Sequence, residues 1–352
     1  MRRVSRIAVA GTATASLALA LSACGGTSSD AQSSSDGGKE KGLAIAYDVG
    51  GKGDQSFNDA AYDGLRQAKK EFGYQVADQE PKDGESDDDK TQRLVQLAKM
   101  GYNPVVGIGY AYAPAVKEAA AKYPKTTFGI VDDATAKGDN IADLVFQENE
   151  VSYLAGVTAA LKTKSDTVGF VGGVDNALIN KFQAGFEQGV KDTKKGVKVE
   201  VQYLDEDPAK GFASPDLGKA AAEKQLEDGA DVVYHAAGLS GQGVIEAAAA
   251  EKAYAIGVDS DQYAQAPLKK YKKYIITSAT KDVAKAILNL AKSVEDGKPE
   301  TGVVTGDLKS GEVSLADSNP EFKSDSKLQA ALKKAEQGIV DGSVKVPEKP
   351  QK

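Results

Sequence analysis

The sequence predicts an α/β protein made of two doubly wound lobes with parallel sheets. Short β-rich runs alternate with helical segments from Gly42 onward, most of these runs are apolar throughout, and about ten of them occur in 352 residues. Uniformly apolar strands are typical of parallel sheets covered on both faces, and their alternation with helices is typical of βαβ units. Ten strands in a chain of this length favour two lobes separated by a cleft.

The predicted elements follow one another in regular alternation along the chain. The strands are LAIAY (43–47), YQVAD (74–78), PVVGIG (104–109), TTFGIV (126–131), ADLVF (142–146), TVGFVG (167–172), VKVEVQYL (197–204), DVVYHA (231–236), YAIGVD (254–259) and YIITSA (274–279). The helices are 57–72, 89–100, 113–122, 149–162, 178–194, 216–227, 241–250, 281–295 and 325–338. In residues 299–324, the weaker candidates GVVTGDL and EVSLAD are expected to form a final crossover and an edge hairpin.

The N-terminal segment has the layout of a secretory signal peptide. Three arginines precede an apolar stretch that ends in small residues over 1–23, and the segment LSAC ending at Cys24 resembles a bacterial lipobox. The alternative is a stray cysteine after an ordinary signal peptide. Residues 24–41 are small and polar and predict a disordered tether, because they bury too little apolar surface to offset chain entropy. Residues 346–352 predict a polar tail.

Composition excludes several classes of function. Removal of the three leader arginines changes the formal net charge from -7 to -10, which disfavours nucleic acid and anionic lipid as partners. A single cysteine and a single histidine exclude an internal disulfide and make a Cys/His zinc site implausible. An enzyme with a histidine base would depend on His235, which lies inside the apolar run VVYHA and is expected to be a packed or rim residue.

Carboxylates and glycines follow the predicted strands, at the edge where doubly wound sheets bind ligands. Each has an ordinary alternative, because Asp and Ser often cap the next helix, Gly often serves a turn, and a lysine there is often solvated. The residues that follow strand ends are Asp48, Asp132, Asp133, Gly238, Gly241, Gly243, Asp259, Ser260, Asp261, Thr280 and Lys281.

The first such loop, YDVGGKGDQSFND (47–59), is rich in glycine but does not match a phosphate-binding motif. Gly51-Lys52 is not followed by Ser or Thr as in a Walker A loop, and GGKGDQS lacks the third glycine of a dinucleotide fingerprint. The loop also lacks the aspartate cluster of nucleoside hydrolases. Its carboxylates suit hydroxyl groups that donate hydrogen bonds. Phe57 beside Asn58 favours a flat ligand with polar edges, although Phe57 could instead enter the core.

These segments together resemble the basic membrane protein family of bacterial lipoproteins, whose best-understood members are purine nucleoside receptors of ABC transporters. The resemblance implies a type I periplasmic-binding-protein fold. Its motifs run in order from about residue 43 to 300. They are AYDVGGKGDQSFND, NPVVGIGY, FGIVDD, FQENEVSYLAG, VGFVGGVD, DVVYHAAGLSGQGVIEAA, GVDSDQ and TSATKDV.

The resemblance also implies a role for each of eight residues. Phe57 would stack on the purine, and Asn58 and Asp132 would form hydrogen bonds with the edge of the base. Asp48 and Asp259 would lie near the ligand, with Asp259 bound to the ribose hydroxyls. Lys281 would lie on the ribose side, and Gly238 would contact the ligand through its backbone. Phe212, in GFASPDLGK, aligns with a second stacking aromatic, and the preceding DEDPAKG (205–211) is then an insertion or a decoy.

From the resemblance we expect a lipid-anchored solute-binding protein on the extracytoplasmic face of the cell membrane. Its partners would be a nucleoside, an ABC permease and its ATPase, with no catalytic residues, cofactor or metal. We expect residues 42–138 and 257–298 in the N-terminal lobe, and 139–256 and 299–345 in the C-terminal lobe. The alternatives are a sensor or adhesin of the same fold, which the absence of neighbouring permease genes would favour, and a nucleoside-cleaving enzyme, which would release free base.

Overall fold

The apolar runs of the sequence form twelve strands within residues 41–351, the part of the chain that this computed structural model describes. In chain order they are β1 (Lys41–Ala46), β2 (Gln75–Gln79), β3 (Val105–Gly107), β4 (Phe128–Val131), β5 (Ile141–Phe146), β6 (Thr167–Gly172), β7 (Lys198–Tyr203), β8 (Val232–Ala236), β9 (Tyr254–Asp259), β10 (Ile275–Lys281), β11 (Gly302–Gly306) and β12 (Val313–Leu315).

These strands make two six-stranded sheets, which confirms the predicted fold class. The first sheet has the order β11-β5-β4-β3-β1-β2 and the second has the order β12-β10-β9-β8-β6-β7. Every pairing is parallel except that of β12 with β10. Strands β4 and β8 are buried at every position, because helices cover both faces of a parallel sheet and leave no side for polar residues.

Eleven α-helices fill the intervals between the strands in the described range. They are α1 (Phe57–Phe72), α2 (Asp87–Lys99), α3 (Ala113–Lys122), α4 (Glu148–Lys162), α5 (Ala177–Thr193), α6 (Pro208–Ala213), α7 (Pro215–Glu227), α8 (Gly241–Ala250), α9 (Val283–Glu295), α10 (Pro320–Ser324) and α11 (Ser326–Val340).

The helices pack in pairs over the sheets, and small residues set how closely they approach. Helix α4 lies directly against α5, and a Cβ added at Gly156 of α4 would lie 2.2 Å from the carbonyl oxygen of Phe186. On α5, a Cβ at Gly189 would lie 2.1 Å from the carbonyl oxygen of Tyr153. Any larger residue at these two positions would force the helices apart, so the glycines here serve close packing.

The chain crosses between the sheets three times, and each crossing differs from the predicted lobe boundary. It crosses after β5, where α4 packs on the second sheet, after β10, where α9 packs against α1, and between β11 and β12. The expected boundaries at 138/139 and 298/299 are therefore wrong by one strand each, and the boundary at 256/257 divides β9 and leaves β10 in the wrong lobe. The segments β11 and β12 do form the final crossover, but they lie in different sheets and so make no hairpin. Buried parallel strands look alike in both lobes, so their sequences do not say which sheet they join.

The ends of the chain complete this description. The predicted signal peptide, Cys24 and nearly all of the predicted tether lie outside the described residues. None of the helices between residues 41 and 351 is long and apolar enough to span a membrane. The predicted tail begins as an attached segment, since the carbonyl oxygen of Val346 accepts a hydrogen bond of 3.0 Å from Nδ2 of Asn149.

Candidate ligand-binding site

A cleft between the two lobes brings together all eight residues that the sequence singled out. The space between the lobes is about 540 Å³, including its open mouth. The wall includes the carboxyl ends of β4, β8 and β9, where doubly wound sheets bind ligands. The eight predicted residues in the lining are Asp48, Phe57, Asn58, Asp132, Phe212, Gly238, Asp259 and Lys281.

The loop after β1 is shaped by Asp54, which caps helix α1. Oδ1 of Asp54 accepts from the backbone N–H groups of Ser56 (2.8 Å) and Asp59 (3.1 Å), and Oδ2 accepts from that of Asn58 (2.8 Å). A carboxylate that accepts N–H groups at a helix start also interacts favourably with the helix dipole. Burial nevertheless raises the pKa of Asp54 to about 7. The sequence analysis noted this aspartate, but its position in the loop did not reveal the capping role.

Asn58 holds this loop against the cleft. Its Oδ1 accepts from the backbone N–H of Asp48 at 3.0 Å, and its Nδ2 donates to the carbonyl oxygen of Val49 at 3.2 Å and to Asp54 at 3.0 Å. Both amide protons are therefore used inside the protein, and one lone pair of Oδ1 is left for a ligand. In this arrangement Asn58 positions Asp48 rather than presenting a complete amide edge to the cleft.

Aromatic rings from both lobes line the cleft. Phe57 comes from the first turn of α1 in the first lobe, whereas Phe182 and Phe212 come from α5 and α6 in the second. The ring of Phe212 rests on Gly173, where an added Cβ would lie 2.4 Å from the ring. The DEDPAKG segment caps and begins α6, because Oδ1 of Asp207 accepts from the N–H of Ala209 at 3.0 Å. It thus supports the helix that carries Phe212.

Lys281 is the centre of the charge in the cleft. Its side chain is 2% exposed, and its ammonium forms an ion pair with Asp132 and lies 3.7 Å from Glu148 and 3.8 Å from Asp259. The Nζ atom also lies 4.8 Å from the ring centroid of Phe57. Its burial lowers the pKa of Lys281, but the three carboxylates outweigh burial and raise it above its ordinary value. The ammonium therefore stays charged and spans the two lobes through Asp132.

Two of these carboxylates belong to residues with an unusual backbone conformation. Asp132 follows β4 with φ of 66°, and Asp259 ends β9 with φ of 61°. Left-handed backbone at a residue other than glycine is uncommon and is concentrated at functional sites. Oδ1 of Asp132 is also buried without a hydrogen-bond partner in the described protein. Burial raises the pKa of Asp259, and Lys281 and Ser56 oppose that rise.

Asp48 provides a further carboxylate at a different wall of the cleft. Its Oδ1 accepts from the N–H of Val49 at 2.8 Å, while Oδ2 lies beside Gly109, where an added Cβ would be 2.2 Å away. Gly109 has φ of 98°, so glycine is required there both for the backbone and for the space. Burial raises the pKa of Asp48 to about 7, so its charge changes close to neutral pH.

Direct hydrogen bonds join the lobes beside the cleft. Oγ of Ser56 donates to Asp259 at 2.6 Å, and Oγ of Ser260 donates to the carbonyl oxygen of Ser56 at 2.8 Å. Nε2 of Gln262 donates to the carbonyl oxygen of Gln55 at 3.1 Å. We call these three hydrogen bonds the latch. They connect the loop before α1 with the loop after β9, and so hold the two lobes together.

His235 lies in the core of the second lobe, as the packed interpretation of the sequence predicted. It is fully buried, its Nε2 lies 3.0 Å from Oε1 of Gln262, and burial lowers its pKa to about 4. It is not among the residues that line the cleft.

The sequence analysis missed several residues of the site. Glu148 is buried at the start of α4 and lies 3.1 Å from Lys181 as well as 3.7 Å from Lys281. The only sequence signal was a carboxylate just after the end of β5. Tyr110 and the side chains of Leu178, Ile179 and Phe182 line the cleft without any motif that marks them.

A two-lobed α/β fold with a small cleft at its strand ends and three chain crossings between the lobes is the periplasmic-binding-protein class of fold. Solute-binding proteins of ABC transporters have this fold. A solved solute-binding protein of an ABC transporter system from Aeropyrum pernix K1 superposes with a TM-score of 0.75 at 27% identity, covering 89% of this chain and 94% of that one. An ABC solute-binding protein from Conexibacter woesei shares the fold, with a TM-score of 0.70 at 21% identity, covering 88% of this chain and 99% of that one.

The family model Bmp, described as ABC transporter substrate-binding protein PnrA-like, matches residues 42–349. The chain therefore belongs to the Bmp family of ABC transporter substrate-binding proteins. It is 35% identical to the "ABC transporter nucleoside-binding protein BmpA" of Lactococcus lactis, over 87% of this chain and 89% of that protein. It is also 35% identical to the "CD4+ T-cell-stimulating antigen" of Listeria innocua, over 94% of this chain and 95% of the other. Family membership implies a small-molecule ligand and permease and ATPase partners.

Proposed function

We propose that the chain is the lipid-anchored binding subunit of an ABC importer for nucleosides, with purine nucleosides preferred. The observation that carries this proposal is the pairing, in one enclosed cleft, of aromatic rings from both lobes with buried carboxylates and a charged lysine. Rings bind the flat face of a base, and carboxylates accept hydrogen bonds from ribose hydroxyls. The name of the Lactococcus relative, a nucleoside-binding protein, supports the same ligand class.

Each wall of the cleft has a proposed part in recognition. Phe57 and Phe212 sandwich the base, since they come from opposite lobes and both line the cleft. Asp259 and Lys281 hold the ribose, and Asp132 and Asp48 accept from donors on the ligand. Asn58 acts mainly through Asp48, whose backbone it holds, because its own amide protons are already used.

The membrane attachment is a separate part of the proposal. Cys24 lies at the end of the lipobox-like segment LSAC, and a lipid there would tether the body at the extracytoplasmic face. Mass spectrometry of the chain from a bacterial membrane should find acyl groups, palmitate among them, on residue 24. The Cys24→Ser variant should appear in the soluble fraction. Recovery of unmodified Cys24 from the membrane would contradict the anchor.

Calorimetry with the chain that begins at residue 24 and carries Cys24→Ser tests the ligand class. Adenosine, guanosine and inosine should bind with dissociation constants of about 1 µM or tighter, and ribose, glucose and free adenine should bind much more weakly. Removal of the stacking ring in Phe57→Ala should weaken binding about 5- to 150-fold, for a loss of about 1–3 kcal/mol. Asp259→Ala should also weaken it, because the ribose loses its acceptor.

A matched control separates the cleft from general effects on folding. Phe72 is at the other end of α1 and stacks on Tyr74 with ring centroids 5.3 Å apart, so Phe72→Ala should leave affinity unchanged. Chromatography of inosine after long incubation should return intact inosine. The proposal fails if no nucleoside binds, or if a free sugar binds as tightly as any nucleoside.

A further inference from the structure

A compact cluster of lysines lies at the far end of the second lobe from the cleft. Residues 266–274, APLKKYKKY, contain four lysines and no carboxylate, in a chain whose formal charge is -7. They connect β9 to β10 and include two short 3-10 turns, Ala266–Leu268 and Lys272–Tyr274. Because β10 is parallel to β9 and begins directly after this segment, the segment lies at the amino edge of the sheet. We call it the lysine–tyrosine patch.

The patch has a rigid base. Leu268 is 2% exposed and packs in a small core with Ile245 and Ile275, and Tyr263 and Tyr271 pack against the same core. The backbone is closed by successive turns, with N–H donation from Tyr271 to Leu268 and from Tyr274 to Tyr271, each at 2.8 Å. Its lysines are therefore presented on a fixed surface rather than on a mobile loop.

The four lysines, at 269, 270, 272 and 273, are exposed, and no carboxylate of the described chain lies within ion-pair distance of any of them. Glu246 pairs with Lys219 at 3.1 Å and also attracts Lys270, so one of the four positive charges is partly offset. Three of the ammonium groups instead lie over tyrosine rings. The distances to the ring centroids are 4.4 Å for Lys270 over Tyr271, 5.6 Å for Lys272 over Tyr263 and 5.7 Å for Lys273 over Tyr274.

We propose that the lysine–tyrosine patch is a contact surface for the anionic phospholipid headgroups of the membrane to which the chain is attached. Clustered lysines are attracted to anionic headgroups, and tyrosine favours the boundary between water and lipid. The cluster outweighs the overall negative charge locally, because charges farther than about 8 Å are screened at physiological salt. The inference uses the proposed lipid anchor, which keeps the bilayer within reach. It leaves the cleft free, because the patch lies at the opposite edge of the sheet.

This proposal departs from the expectation from composition that the chain is a poor partner for anionic lipid. Net charge describes attraction at long range, where the whole chain is acidic. A tethered body meets the bilayer at contact distance, and there the local charge of the touching face decides the interaction.

Sedimentation with lipid vesicles tests the patch without the anchor. The chain from residue 24 with Cys24→Ser is mixed with phosphatidylcholine vesicles that contain none or about 30% phosphatidylglycerol, in about 50 mM and 300 mM salt. Binding should require the anionic lipid and weaken with salt. Each lysine at an anionic surface contributes about fivefold, so the fourfold Lys→Gln variant at 269, 270, 272 and 273 should bind at least about 25-fold more weakly even if only two lysines face the bilayer.

A variant with the same change of charge elsewhere is the control. Lys69, Lys70, Lys333 and Lys334 are also exposed, and their fourfold Lys→Gln variant should bind vesicles nearly as well as the unchanged chain. Both variants should bind nucleosides like the unchanged chain. Nucleoside binding and vesicle binding are therefore measured independently, so failure of the ligand proposal can be distinguished from failure of this inference. The inference is overturned if anionic vesicles are not bound, if the control loses as much binding as the patch variant, or if the patch binds soluble polyphosphate but no vesicles.

Discussion

Replacement of Lys281 by methionine tests whether the charge network in the cleft is as buried as the structure indicates. Methionine keeps most of the length of the side chain and removes the ammonium. In the unchanged chain this ammonium pairs with Asp132 and lies within 4 Å of Glu148 and Asp259. The variant therefore leaves a group of carboxylates with one positive partner fewer, in a place that water reaches poorly.

The size of the effect follows from burial. The side chains of Lys281, Asp132 and Glu148 are 2%, 5% and 1% exposed. Removal of one partner from a buried ion pair costs about 3–5 kcal/mol in the free energy of unfolding, because the remaining charge is left uncompensated. An exposed pair contributes only about 0–1 kcal/mol. Lys122 and Glu118 form such a pair, 53% and 51% exposed, so Lys122→Met is the matched control.

The loss of stability should also depend on pH. Burial raises the pKa of Glu148 and of Asp259, and Lys281 lowers both, so its removal raises them further. A carboxyl group whose pKa is higher in the folded state binds protons more tightly when folded. As the pH falls from 8 through these raised pKa values, towards the pKa of about 4 in the unfolded chain, proton binding stabilises the folded variant. The difference from the unchanged chain should therefore shrink between pH 8 and pH 5.

Urea denaturation followed by circular dichroism measures both effects. Lys281→Met should lower the free energy of unfolding by about 3–5 kcal/mol at pH 8, and a second change, Asp132→Asn, should restore part of it by removing one of the orphaned charges. A loss no larger than that of Lys122→Met would refute the buried network. A difference that grows on acidification would refute the assignment of the destabilisation to carboxylate charge.

Three further predictions concern binding. Because burial raises the pKa values of Asp48 and Asp54 to about 7 and ionised carboxylates accept hydrogen bonds, nucleoside affinity measured by calorimetry should rise between pH 6 and pH 8, and Asp48→Asn should reduce that rise. Ser260→Ala removes one hydrogen bond of the latch, which contributes about 1 kcal/mol, and should speed ligand release about fivefold in stopped-flow measurements. An unchanged rate would show that the latch does not hold the lobes closed on the ligand. In Gly173→Ala the new Cβ displaces the ring of Phe212, so affinity should fall. Gly196→Ala, which has open space but left-handed backbone with φ of 90°, should lower stability and leave affinity unchanged.

The elements of the fold were predictable because their patterns are local. Helix α1 at 57–72, α3 at 113–122 and α8 at 241–250 have the predicted bounds. The short α6 was missed because six residues are too few to show a helical period. The lobe boundaries were wrong because strand pairing depends on contacts between distant segments. Strands β9 and β10 carry the same apolar pattern as strands of the first sheet, so no local signal assigns them to the second.

The residues that line the cleft were easier to predict than the contacts that they make with one another. Strand ends, together with the family resemblance, selected all eight residues, and the structure places all eight in one cleft. Their ligand contacts stay predictions. The hydrogen bonds that occupy the amide of Asn58, and the place of Glu148 beside Lys281, depend on side-chain packing that no motif expresses. The lysine–tyrosine patch is visible in the sequence as a local cluster, but the net charge of the whole chain concealed it.

The charges of the cleft also determine what it excludes. One ammonium, that of Lys281, is shared by Asp132, Glu148 and Asp259, and Asp48 adds a further acid on another wall. A phosphate group in this space would meet several carboxylates and a lysine that is already paired, and the low dielectric of a closed cleft strengthens that repulsion. Uncharged ligands with many hydroxyl groups meet no such penalty and supply the protons that these carboxylates accept. The residues through which we propose nucleoside binding therefore oppose phosphate esters, so the cleft can select against nucleotides without any residue dedicated to that purpose.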